Sequence, residues 1–192
     1  MINDEKLKIG FALTGSFCTF KKAIEALKEI SPLYDIYPIM SHNAYFTDTR
    51  FGKAADFREI IKNETKKDII YTIETAEPIG PKNFLDALVI APCTGNTLSK
   101  IALGITDSSV TMSAKASLRN QIPVIISIST NDGLGANAKN IGMLLERKNI
   151  FIVPFGQDDP ISKPQSLISD LSLLKDTLLS ALDGKQLQPQ LI

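Results

Sequence analysis

Residues 88–107 read L-V-I-A-P-C-T-G-N-T-L-S-K-I-A-L-G-I-T-D, a stretch whose residue types could hold a ligand through backbone and hydroxyl groups. An apolar run breaks at Pro92 and opens on Cys93, Thr94, Gly95, Asn96 and Thr97. Apolar residues then resume at helical spacing, at Leu98, Ile101, Ala102 and Ile105. That order spells a buried strand, a tight turn and a helix. Such a turn aims unpaired N–H groups and short hydroxyls past the strand's end, where open parallel sheets bind their ligands. Pro92 suits a strand exit because it cannot donate a ladder hydrogen bond, and Gly95 lets a flat ligand approach the backbone. The same residues also describe an ordinary strand-to-helix turn with no ligand, and residue types leave both readings open.

Three other stretches repeat the pattern. K-I-G-F-A-L-T at residues 8–14 is followed by Gly15 and Ser16, without the G-x-G-x-x-G spacing that closes on a dinucleotide pyrophosphate. One reading puts a single phosphate on Gly15, Ser16 and the N-terminus of the next helix; the other makes Ser16 or Thr19 a plain helix cap. D-I-Y-P-I-M at residues 35–40 ends in Ser41, His42 and Asn43, and V-I-I-S-I-S at residues 124–129 leads to Asn131. His42 is a candidate general acid or base, or equally a solvated loop residue, since no carboxylate is evident beside it. Arg50, Lys53 and Arg58 could grip a carboxylate or simply form a charged helix face.

The elements that must position these turns alternate strand and helix. Phe20, Ala23, Ile24, Leu27 and Ile30 mark a first helix that stops before Pro32, and residues 53–64 a mixed-charge amphipathic one. A short strand is expected near residues 69–72, and a Ser/Ala-rich helix over residues 108–119 suited to close packing against another subunit. Ala138, Ile141, Leu144 and Leu145 stripe a further helix. Residues 151–155 read as the last strand, residues 156–160 as a loop, and Leu167, Leu171, Leu174, Leu178 and Leu182 as a C-terminal helix over about 166–184. The expected architecture is a right-handed, doubly wound, Rossmann-like parallel sheet in a single α/β domain over residues 1–192, with a core at about 8–155 and a mobile tail at 185–192.

Composition narrows the function classes. The 192 residues carry 21 basic and 21 acidic groups, so no net field favours nucleic acid or an anionic membrane. No apolar run is long enough to span a membrane, and M-I-N-D-E-K lacks a signal peptide's apolar core. Two cysteines and one histidine make neither a disulfide framework nor a metal set, and the chain reads as cytoplasmic with reduced thiols.

T-G-S after the first strand, A-P-C-T-G-N-T-L-S-K-I-A-L-G-I-T-D in the middle and the Asn after the next strand resemble the FMN-binding flavoprotein family, which includes the phosphopantothenoylcysteine and lantibiotic cysteine decarboxylases and the flavin prenyltransferases. The resemblance implies a flavoprotein-type, Rossmann-like fold and FMN bound by Gly15, Ser16, Ser41, Pro92, Cys93, Thr94, Asn96, Thr97 and Asn131, in a trimer-based homo-oligomer. Where the decarboxylases have a catalytic His this chain has Pro78, by the count back from Asp86, and I-S-T-N replaces their P-A-M-N. Both departures speak against cysteine decarboxylation. G-F-A-L-T-G-S-F-C-T-F, S-T-N-D-G-L-G-A-N-A-K-N-I-G and V-P-F-G-Q-D-D-P-I-S-K-P look closest to a two-subunit oxidoreductase branch. That likeness implies a partner subunit carrying NAD(P), a small dihydropyridine dicarboxylate as substrate, and the mother cell of a sporulating bacterium as location. A prenyltransferase, or a non-catalytic scaffold that keeps the pocket, are the alternatives.

Overall fold

The structure is a computed structural model that describes residues 6–81 and 83–192; most of the polar N-terminal stretch M-I-N-D-E-K lies outside the described residues. Five parallel strands, β1 (Lys8–Leu13), β2 (Asp35–Met40), β3 (Ala87–Cys93), β4 (Val124–Thr130) and β5 (Ile150–Ile152), lie in the order 2-1-3-4-5. β1, β3 and β4 read as near-continuous apolar runs because helices cover both faces of the sheet. The pleat still sorts them. Ile9, Phe11, Leu13, Val89 and Ala91 point into one apolar layer, and Ala12, Leu88, Ile90 and Cys93 into the other.

Helix α1 (Phe20–Ile30) buries the five apolar residues predicted for it and packs in the first layer. A short α2 (His42–Phe46) follows β2, and α3 (Ala54–Thr65) packs in the first layer through Phe57 and Ile61. The second layer takes α4 (Ile73–Ala76), α5 (Gly95–Leu103), α6 (Ser109–Arg119) and α7 (Ala138–Leu145). A doubly wound α/β sheet results, as the sequence predicts.

The C-terminal third departs from expectation. Residues 69–72 form no strand; Ile70 makes only an isolated parallel bridge to Ile39. β5 stops at Ile152, and after Pro154 the chain re-enters the sheet as β6 (Phe155–Asp159), which pairs antiparallel with β7 (Lys163–Ser169). Residues 156–159 are therefore strand rather than loop, and residues 166–169 are strand rather than helix. β7 pairs with Ser129 and Thr130 at the carboxyl end of β4, leaving the amino half of that strand to β5. The C-terminal helix, α8 (Leu174–Leu182), begins only after a 3-10 turn, where the Asp170 side chain accepts from Ser172 N at 3.0 Å.

Residues 185–192, expected to be mobile, are tied to the sheet. The Gln186 side chain accepts from Ile152 N at 2.8 Å and donates to Ile152 O at 2.7 Å. Phe155 N donates to Gln190 O at 3.0 Å, and Ile192 N to Phe155 O at 3.1 Å. A net ~0.5–1.5 kcal/mol per hydrogen bond sets the scale. Truncation before Gln186 is expected to lower the urea-unfolding free energy by about 2–6 kcal/mol, whereas an unattached tail would leave it unchanged.

Candidate functional site at the strand carboxyl ends

From β1 the chain steps to β2 on one side and returns to β3 on the other, so the carboxyl ends of β1 and β3 flank the topological switch point. In open α/β sheets ligands bind at that crevice. One buried side chain joins the two ends. Thr14 Oγ1 donates to Pro92 O at 2.8 Å and accepts from Thr94 N at 2.9 Å, while Thr14 N donates to the same Pro92 carbonyl at 3.2 Å. Ser41 N donates to Leu13 O at 3.0 Å, which draws the end of β2 alongside. The Ala91–Pro92 peptide is cis.

Hydroxyls line the turns beyond these ends. Ser16 Oγ lies 2.7 Å from Ser129 Oγ, and Thr19 Oγ1 donates to Ser16 O at 2.8 Å with Ser129 Oγ at 3.1 Å, so the β1–α1 turn is laced to the end of β4. Ser41 caps α2 by accepting from Ala44 N at 3.3 Å, and Thr94 caps α5 by accepting from Thr97 N at 3.3 Å. The first N–H groups of α5, at Gly95 and Asn96, find no acceptor among the described residues. Gly15 is half-buried, Asn96 and Asn131 are exposed, and Thr97 is buried beneath the Thr94 cap. Cys93 is fully buried within the second apolar layer, and burial pushes its thiol far up and keeps it protonated. It packs the turn and offers no nucleophile.

Beneath α5 lies a polar network that the sequence reading missed. Asp132 accepts from the Thr130 hydroxyl and from Asn137 Nδ2 at 2.8 and 2.9 Å, and Asn140 Nδ2 donates to Asn137 Oδ1 at 2.9 Å. The Thr130 hydroxyl foremost, and then Asn137, hold the Asp132 carboxyl below the usual carboxylate range. Gly95 rests on this network. A Cβ there would stand 2.5 Å from both Asn137 Nδ2 and Thr130 Oγ1. The run S-T-N-D-G-L-G-A-N-A-K-N held these residues, but their spacing carries no helical or strand period to mark them.

His42 is exposed on the first turn of α2. Its ring packs 4.8 Å from Phe46, and it has no hydrogen bond or ion pair among the described residues. Arg58 is committed to the chain, donating to Tyr45 O and stacking 4.6 Å over the Tyr45 ring. Pro78 lines a separate pocket with Tyr37, Lys67 and Phe84. A cleft of about 800 Å3 also lies elsewhere, between α1 and the β6–β7 hairpin. Among the described residues no group of three His, Cys, Asp or Glu side chains could hold a metal, and no helix is long and apolar enough to cross a membrane.

Sheet order and strand-end turns define a class, and the chain belongs to the Flavoprotein family, whose model matches residues 2–171. Within it the chain is 46% identical to the B subunit of dipicolinate synthase from Bacillus subtilis (strain 168), over 96% of this chain and 93% of that protein. The crystal structure of the corresponding B subunit from Bacillus halodurans C superposes with a TM-score of 0.90 at 45% identity, covering 100% of this chain and 98% of that one. The FMN-dependent cysteine decarboxylase SpaF superposes with a TM-score of 0.68 at 20% identity, over 93% and 98% of the two chains, a likeness of fold.

Two substitutions probe the crevice. Thr14→Val removes the hydroxyl that serves both strand ends and leaves Thr94 N without its acceptor; a loss of about 1–3 kcal/mol is expected in chemical denaturation. Gly95→Ala, which in an open helix stabilises by ~0.4–1 kcal/mol, is instead expected to destabilise by about 1–3 kcal/mol because its methyl meets the Asp132 network. Asp132 adds a pH dependence. Its folded pKa lies below the unfolded value of about 3.9, so its contribution is present above that pH and lost as the pH falls through the folded value. Urea titrations of the parent and Asp132→Asn should therefore differ by a constant gap from about pH 5 upward, narrowing below about pH 4.

Proposed function

We propose that this chain is the B subunit of a dipicolinate synthase, acting in the cytoplasm with a nucleotide-binding A subunit to oxidise dihydrodipicolinate to dipicolinate. The observation that carries this reading is the 46% identity to a dipicolinate synthase B subunit over 96% of the chain. Aromatising the dihydropyridine ring removes a hydride and a proton. NAD(P)+ on the A subunit takes the hydride, and water or a side chain takes the proton.

The donor set of the crevice fits FMN. A phosphate finds short hydroxyls at Ser16 and Ser41 and backbone N–H groups in the Gly15 turn, and the nearby Asp132 carboxylate is already occupied by Thr130 and Asn137. A flat ring finds Thr94, Asn96 and Asn131 at the ends of β3 and β4, over the buried Pro92 and Thr97. Bound there, FMN would supply a two-electron relay between the substrate and the nicotinamide of the A subunit. The chain's own part is to hold the phosphate by hydroxyls, present exposed amides to the substrate's carboxylates, and keep the buried Cys93 thiol out of the chemistry. His42, beside Ser41, packed on Phe46 and without a hydrogen bond or ion pair among the described residues, is the group placed to exchange a proton with solvent. A trimer-based homo-oligomer belongs to the same reading.

Reconstitution tests it. Dipicolinate formation, followed at the pyridine absorbance, is expected to require both subunits; full turnover by the A subunit without this chain would sink the proposal. Ser16→Asp sets a like charge against the phosphate and is expected to weaken FMN binding by roughly 100-fold or more, with circular dichroism unchanged. An unaltered FMN affinity in that variant would remove Ser16 from the site.

A further inference from the structure

A second concave surface lies at the opposite end of the sheet. A cleft of about 590 Å3 opens between the carboxyl end of α5, the outer face of α6 and the turn that leads into β5. Gln121 and Asn149, which line it, stand just before β4 and β5, so the cleft faces the amino ends of the strands. Its lining includes the apolar Ile101, Ala114 and Leu118 and four cations, Lys115, Arg119, Arg147 and Lys148, with no Asp or Glu.

In a chain with 21 basic and 21 acidic groups, four cations around one cleft whose lining has no acidic side chain are a local device rather than a consequence of composition. The ion pairs of Lys62, Lys67, Lys100, Lys163 and Lys175 involve none of them. Two of the cations are set by the chain. Arg147 Nη1 donates to Ile101 O at 3.1 Å, and the Arg119 guanidinium lies over Gly80, where a Cβ would stand 2.7 Å from Nη2. Lys115 and Lys148 are exposed. The carboxyl ends of α5, α6 and α7 contribute about half a negative charge each, so the three together do not offset four full positive charges.

We propose that this cleft binds a small organic polyanion, a compact apolar body bearing two or more carboxylate or phosphate groups. The apolar side chains take the body. The guanidinium forks suit the planar geometry of carboxylate or phosphate, and the lysines draw the anion in. The volume falls in the range of small-molecule sites, ~300–1,000 Å3. The site is distinct from the strand carboxyl ends and does not rest on the function proposed for them.

Calorimetric titration of the full-length chain with pyridine-2,6-dicarboxylate, and separately with inorganic tripolyphosphate, tests the site. At least one probe is expected to bind saturably and to weaken as salt rises; which one binds distinguishes a carboxylate from a phosphate ligand. Lys115→Glu/Lys148→Glu should weaken that binding roughly tenfold or more, and Lys115→Gln/Lys148→Gln less but in the same direction, with FMN affinity and circular dichroism unchanged. Saturable binding by neither probe, or equal affinity in both double variants, would overturn the proposal.

Discussion

The candidate site depends on one buried hydroxyl. Thr14 joins β1 to β3 at the point where the chain's winding reverses, and it does so with both of its hydrogen-bonding capacities, as donor to Pro92 O and acceptor from Thr94 N. Parallel strands diverge beyond their last ladder bond, so without such a link the two turns would be held only by the helices they lead into. With it, the α1 and α5 turns leave the sheet from a common origin. A buried hydroxyl with both functions satisfied stiffens its surroundings, and either function left open would cost desolvation.

Charge around the crevice is arranged by subtraction. The chain has no net field to attract an anion, so for one held at the crevice hydroxyls and backbone N–H groups would have to supply the attraction locally. The nearby Asp132 carboxylate would oppose it, but Thr130 and Asn137 occupy its oxygens. That network also explains Gly95. Its place is set by the absence of room for a methyl group, not by a left-handed backbone. The glycine is thereby a contact that brings α5 down onto the end of β4.

β4 is shared along its length. Its amino half pairs with β5 and its carboxyl end with β7, so the hairpin of β6 and β7 covers an edge that β5 is too short to reach. Ser166 and Ser169 finish the junction by donating to Thr130 O and Val153 O at 3.2 and 3.0 Å, and Ser169 Oγ also accepts from Ile128 N at 2.8 Å. The tail then closes over Ile152 and Phe155. An edge strand left bare would present unpaired backbone groups to other chains.

Local pattern settles the alternation of strands and helices, the buried central strand, the apolar face of α1, and the four turns at the strand ends, whereas of the α7 stripe only Ile141 and Leu144 are buried and Ala138 and Leu145 are exposed. Each of those signals is a run or a period within one element, and so it is readable before the chain folds. Tertiary contacts settle the rest. Leu167, Leu171, Leu174 and Leu178 share a helical spacing, yet Leu167 lies in a strand and in the opposite apolar layer from the other three, because pairing with β4 outweighs local period. Thr14 is one threonine among many until Pro92 and Thr94 arrive from about 80 residues away. Asp132 reads as a turn residue, and only the approach of α5 turns it into the support beneath Gly95. The four cations of the amino-end cleft come from two segments about 30 residues apart, and their convergence depends on how α6 and the turn after α7 pack together. Long-range hydrogen bonds and packing carry no signature within the segments they join, and for that reason the sequence could place the turns but not the contacts that hold them together.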